Sequence, residues 1–180
     1  SQRKVGKYFL VVCAVFLTQL GVGILMAHYY SDRTSFYGFD INKYLPFNFL
    51  RSIHIQTPIV WIGLAWIGGA LFLAPAISKQ EAKNQGLMVD ILFWATLTVV
   101  AGGLAGNYFG LTNTIDKHWF WFGNQGLSYI ELGRAWQIGF FGGLLLWSGL
   151  VFRALWPGEG QFRKALKDFF TGNIYLEHLL

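Results

Sequence analysis

Four uninterrupted apolar runs, at 8–27, 53–77, 91–115 and 135–152, dominate this chain, and the charged residues gather between them. Each run matches the roughly 20 residues that a helix needs, at about 1.5 Å rise per residue, to cross a hydrocarbon layer of about 30 Å. Lipid offers the backbone no hydrogen bonds, so a spanning segment must satisfy its own N–H and C=O groups, and a helix does so. Charged residues are only 13% of the 180 and avoid all four runs, which excludes an ordinary soluble domain. The expected fold is an all-α membrane protein with four transmembrane helices in one unit.

The net charge of +5 is distributed by side and calls for no nucleic-acid partner. One set of connections holds Arg3, Lys4, Lys7, Lys79, Lys83, Arg153, Arg163, Lys164 and Lys167; the other holds only Arg33, Lys43, Arg51, Lys117 and Arg134. Cytoplasmic loops carry the excess of Lys and Arg, so both termini and the 78–86 loop are expected inside, with 29–52 and 116–133 outside. Aromatic residues near the run ends (Tyr8, Tyr29, Tyr30, Tyr44, Trp119, Trp121, Tyr129 and Trp156) read as an interfacial belt in contact with the bilayer. The single cysteine, Cys13, lies inside the first run and reads as a small packing residue, without any disulfide framework. The first run is too long for a signal-peptide core, and no small-residue cleavage pattern follows it. Gly102 with Gly106, and Gly139 with Gly143, form small-xxx-small pairs that let helix backbones approach closely. Glycine is also simply common in membrane helices, so both readings stay open.

Ionisable groups at membrane depth are costly, and each merits a functional hypothesis. His28 ends the first span and His54 opens the second, so both are expected at the outer face. A neutral imidazole at the mouth of a bundle suits an axial haem ligand, and Arg51, one turn before His54, suits a haem propionate. An interfacial histidine bonded to backbone or water is the plainer alternative, and spacing alone favours it. His28, Asp32 and Phe36 succeed one another at intervals of four. If the helix continues past the interface they share one face, where a His–carboxylate pair and a ring suit a quinol headgroup. Against this, Ser31, Thr34 and Ser35 favour a solvated turn, which prevails on these residues alone. His118 and His178 receive no role. Glu131 either pairs with Arg134 at a helix start or contributes to a calcium site of hard oxygen donors.

The order of several segments resembles the membrane core of quinol-dependent nitric oxide reductases, in the haem–copper oxidase superfamily. The stretches are Gly6-Lys-Tyr-Phe-Leu-Val-Val, Ala27-His-Tyr-Tyr, Tyr44-Leu-Pro-Phe, Arg51 to Trp61, Trp119 to Arg134, and Arg153-Ala-Leu-Trp-Pro157. All six are colinear over residues 6–157, which is far more specific than any one of them. The resemblance implies a haem–copper oxidase-like bundle in a bacterial inner membrane. It implies that His54 is an axial ligand of a low-spin haem b, and that His28, Asp32 and Phe36 fall where the family binds quinol. It further implies that NO is reduced to N2O at a binuclear iron centre elsewhere in the enzyme.

Some positions depart from the family's pattern. Asp32 stands where a Glu is usual, one methylene shorter. The stretch Gly123-Asn-Gln-Gly-Leu-Ser-Tyr129 lacks the usual His and first Glu, leaving Glu131 as the carboxylate for calcium. Pro58 replaces an apolar residue, and is expected to free the carbonyl of His54 and bend the helix there. Such changes at electron-entry positions are similar to those of nitric oxide dismutases, which convert NO to N2 and O2. A non-catalytic membrane subunit is a third alternative.

The second haem, its ligands and the non-haem iron ligands belong to later spans in the family, and four histidines cannot supply them. The chain alone is therefore expected to lack the catalytic centre and to act with the remaining helices of the same enzyme, with a homodimer as a further assembly. Residues 1–157 form the four-helix segment; 158–180 are a cytoplasmic tail or the start of the next segment.

Overall fold

The computed structural model describes residues 1–32, 35–36, 38–79, 81–123 and 132–155. The chain forms α1 (Gln2–Asp32), a two-stranded ribbon of β1 (Ser35–Phe36) and β2 (Phe39–Asp40), and α2 (Phe47–Ser78). There follow α3 (Gln85–Leu111), the short α4 (Trp119–Phe122) and α5 (Arg134–Leu155). The four long helices have 31, 32, 27 and 22 residues, each enough to cross a bilayer.

The helices overrun the apolar runs at their polar ends. α2 starts six residues before its run, directly after Pro46, whose fixed φ suits a helix entry. The third run, read to 115, stops being helical at Leu111. There Thr112 N–H closes on the Tyr108 carbonyl at 3.0 Å, and Asn113 turns left-handed at φ 56°, which breaks the ladder before Ile115. Between the strands Gly38 sits at φ +88°, a conformation that glycine adopts without penalty.

α1 and α2 pack antiparallel along their whole length, with polar ties spaced down the seam. Gln2 Nε2 donates to the Phe72 carbonyl at 2.9 Å, Trp61 Nε1 to Gln19 Oε1 at 2.6 Å, and Tyr29 OH to the Leu45 carbonyl at 2.5 Å. Between the first two, Tyr8 lies over Gly68, where a Cβ would meet the tyrosine at 3.2 Å. Tyr8 is fully buried and its hydroxyl donates to the Val89 carbonyl at 2.8 Å. It therefore does not belong to an interfacial belt: its ring fills the three-helix junction and stacks edge-on against Phe93. Tyr30 and Tyr44 are exposed, as are Trp119 and Trp121, in keeping with a belt; Tyr129 and Trp156 lie outside the described residues. Cys13 is exposed on the outer face of α1, so it does not pack between helices.

Near the α1 start, Asp90 in α3 takes Lys4 Nζ at 2.5 Å and also Lys7, whose ammonium lies 4.6 Å from the centre of the Phe93 ring. A carboxylate so near hydrocarbon needs such partners. Arg153 of α5 donates to the Lys83 carbonyl at the same end.

α3 and α5 meet through glycine. A Cβ at Gly102 would overlap Trp136, one at Gly106 would overlap the Phe122 carbonyl oxygen, and one at Gly139 would approach Val99 Cγ2 to 2.8 Å. Gly143 has open space around it, so of the two small-residue pairs only three members make close approaches. Gly106→Ala must displace backbone and is expected to cost about 1–3 kcal/mol. Gly143→Ala is expected to stay within about 0.5 kcal/mol of the parent. Melting temperatures in detergent check the contrast, and equal values for the two variants would refute it.

Candidate functional site

The end of α1 and the start of α2 meet at one end of the bundle, joined by the ribbon. Tyr29 ties the two through its bond to Leu45, and Tyr29 and Tyr30 both pack edge-on against Phe47, at 5.7 and 5.8 Å between ring centres. This clasp brings the histidine-bearing turns of both helices to the same end.

On α1, His28 Nδ1 pairs with Asp32 Oδ2 at 3.0 Å, one turn apart, with both side chains partly open to the surroundings. The helix stops at Asp32, and Phe36 lies beyond it in β1, paired with Phe39. A shared helical face through 28, 32 and 36 is thus interrupted: it reaches Asp32 only. Of the residues that favoured a turn, Ser31 lies in the last turn of the helix and Ser35 opens the ribbon.

On α2, His54 is half-buried two turns inside the helix start. Its ring rests on Gly23 of α1, where a Cβ would lie 3.3 Å from Cε1 and 3.8 Å from Nδ1, while Nε2 is farther than 4 Å. Nδ1 is buried and has no hydrogen-bond partner among the described residues. Arg51, one turn earlier, is exposed. Pro58 lies inside an α2 that remains one continuous helix, and it takes from the His54 carbonyl its ordinary N–H partner. Thr57 Oγ1 meanwhile donates to the Ile53 carbonyl at 2.9 Å.

A cavity of about 30 Å³ opens among Gln56, Val60, Val100, Gly103 and Leu132. That volume suits a water, not a quinol headgroup or a porphyrin. Across the same end of the bundle, Trp136 Nε1 donates to the Phe122 carbonyl at 2.9 Å and holds α4 against α5. His118 is exposed in the turn before α4. Arg134 bonds Gln137 Oε1 at 2.8 Å and faces the Phe120 ring. Glu131 and His178 lie outside the described residues, and among the described residues no cluster of three or more His, Cys, Asp or Glu side chains is arranged to hold a metal ion. Sequence reasoning passed over Gly23 and Gln19. A glycine four residues after a glutamine, opposite a histidine on an antiparallel neighbour, is visible only once the pairing of the two helices is known.

The family described as Cytochrome C and Quinol oxidase polypeptide I matches residues 3–170. A nitric oxide reductase subunit of Stutzerimonas stutzeri is 32% identical over 94 residues. That stretch is 52% of this chain and 19% of the relative, so this chain is similar to a limited part of a much longer protein. With four helices of membrane-spanning length and a match over nearly its whole extent, the chain belongs to the cytochrome c and quinol oxidase polypeptide I family, the haem–copper oxidases, as a multi-pass membrane protein related to nitric oxide reductase.

Proposed function

We propose that this chain is the electron-input segment of a nitric oxide-converting oxidoreductase of the bacterial inner membrane. The observation that carries the reading is His54, a half-buried imidazole inside a membrane-spanning helix with its Nε2 turned from Gly23, and a guanidinium one turn away. An ionisable ring at that depth is costly, which is why a ligand role is the reading it supports. These residues fit a b-type haem: His54 Nε2, the nitrogen turned from Gly23, would ligate the iron, and Arg51 would pair a propionate. Bound there, the haem supplies one-electron transfer. The name of the relative, a nitric oxide reductase, agrees with this role.

His28 and Asp32 are the proton-accepting pair for quinol. His28 is five residues outward of Gly23 on α1 and Asp32 nine, so the pair stands roughly 7 to 13 Å along the helix axis from the level of the His54 ring. Their contact at 3.0 Å lets the carboxylate stabilise a histidine that has taken a proton. Phe36, in the strand just beyond, is the third member proposed for the quinol site. The net reaction balances as quinol plus two NO giving quinone, N2O and water, with the binuclear centre in helices beyond this segment.

A second reading, a dismutase-like enzyme converting two NO to N2 and O2, is favoured by Asp32 in place of Glu and by Asn124 in the stretch before the fourth span. That reaction needs no external electrons, so a shortened carboxylate at the quinol position is tolerated.

Three outcomes test these readings. In the full enzyme His54→Ala removes the low-spin absorption of the reduced spectrum while the protein still assembles; an unchanged spectrum refutes the ligand role. His28→Ala lowers quinol-driven turnover by about 100-fold or more yet spares turnover fed by an artificial donor, and Asp32→Glu raises the quinol rate. Indifference of quinol kinetics to both, together with O2 release from NO alone, transfers the assignment to the dismutase. With Cys13 replaced by Ser, a cysteine at position 40 labels from outside and one at position 81 from inside, because the ribbon end carries fewer Lys and Arg than the other. Labelling of both from one side rejects that orientation.

A further inference from the structure

We propose that Gly23 of α1 is the positioning residue that sets the rotation of the His54 imidazole, and through it the electronic character of the haem held there. The proposal rests on the reading of His54 as an axial ligand and concerns what orients it. A ligating histidine ordinarily gives its second ring N–H to a carbonyl, a carboxylate or water, and that bond fixes the ring plane. Among the described residues, His54 Nδ1 is buried without such a partner. What stands against that edge of the ring is the bare backbone of Gly23: a Cβ there would lie 3.3 Å from Cε1 and 3.8 Å from Nδ1. Carbon atoms prefer about 3.5–4.0 Å, so even one methyl group forces either the ring or the helix to give.

The helix is the harder of the two to move. Gln19, one turn before Gly23 on the same face of α1, accepts the Trp61 indole N–H at 2.6 Å, and Phe16 packs edge-on against the same indole. On the other side of Gly23, Tyr29 holds the Leu45 carbonyl. α1 is thus fastened to α2 both before and after Gly23, and the imidazole, which turns about a single bond, yields first. A packing contact here does the orienting that a hydrogen bond does elsewhere. Gly21, two residues away, has open space at its Cβ, so the requirement is local to position 23.

The haem-loaded full enzyme, with Gly23→Ala and Gly21→Ala, tests this by electron paramagnetic resonance and redox titration of the low-spin haem. Gly23→Ala is expected to keep a six-coordinate low-spin spectrum while shifting the largest g value and the midpoint potential; Gly21→Ala is expected to shift neither. An unshifted g value and potential in Gly23→Ala overturns the proposal and leaves the ligand role of His54 intact. Retention of the low-spin haem in His54→Ala overturns the ligand role itself, so the two failures are distinguishable. Where Gly23→Ala does not assemble, Trp61→Phe decides: it keeps an aromatic ring against Phe16 but removes the tie to Gln19. Its expected signature is a broadened largest g value, and an unbroadened one overturns the proposal.

Discussion

The antiparallel seam between α1 and α2 is the contact on which the remainder of this structure depends. In lipid the hydrophobic effect does not press helices together, so association relies on close packing and on the few polar side chains that find partners. This seam has both. Gln2, Gln19 and Tyr29 or their partners form hydrogen bonds near its two ends and its middle, and Gly68 and Gly23 make room for the Tyr8 Cβ with the Phe9 ring and for the His54 ring. Each such bond is worth only about 1 kcal/mol, but an unsatisfied indole or amide in hydrocarbon costs more than that, which makes a slipped register expensive. α3 and α5 then add to one side of the pair, α3 through Tyr8 and Asp90 and α5 through the glycines of α3.

Much of the architecture was legible in the residues because one constraint dominates it. A spanning helix must be long and apolar, and four runs met that requirement; the errors came at positions where a second influence took over. Tyr8 has the composition of a belt residue, yet its ring and hydroxyl are both satisfied inside a three-helix junction. Cys13 has the size of a packing residue but faces outward, because the neighbours of α1 lie on its other side. Ile115 continues an apolar run, but Asn113, left-handed, has already ended the helix. In each case the local sequence is uninformative about which face a partner occupies.

The site was legible to a different degree. His54 stood out because an imidazole inside a span is rare and costly, and the pairing of His28 with Asp32 follows from a spacing of four on a helix. Phe36 did not follow, since periodicity holds only while the helix does, and the ribbon begins before it. Gly23 carried no signal at all. A glycine in an apolar helix looks the same whether it faces lipid or an imidazole, and only the register of the α1–α2 seam distinguishes the two.

The cluster of Asp90 with Lys4 and Lys7 bears on the order in which the bundle is made. The carboxylate lies 86 and 83 residues after the two lysines, so α1 is synthesised and enters the membrane long before its counter-charge exists. During that interval both ammonium groups stay in water and hold the start of α1 at the surface. When α3 arrives, Asp90 meets them there rather than in hydrocarbon, and no bare carboxylate has to be carried into lipid. The trio is therefore a latch that closes when α3 joins α1, before α5 is added, and it closes only on an α1 that has entered to the right depth.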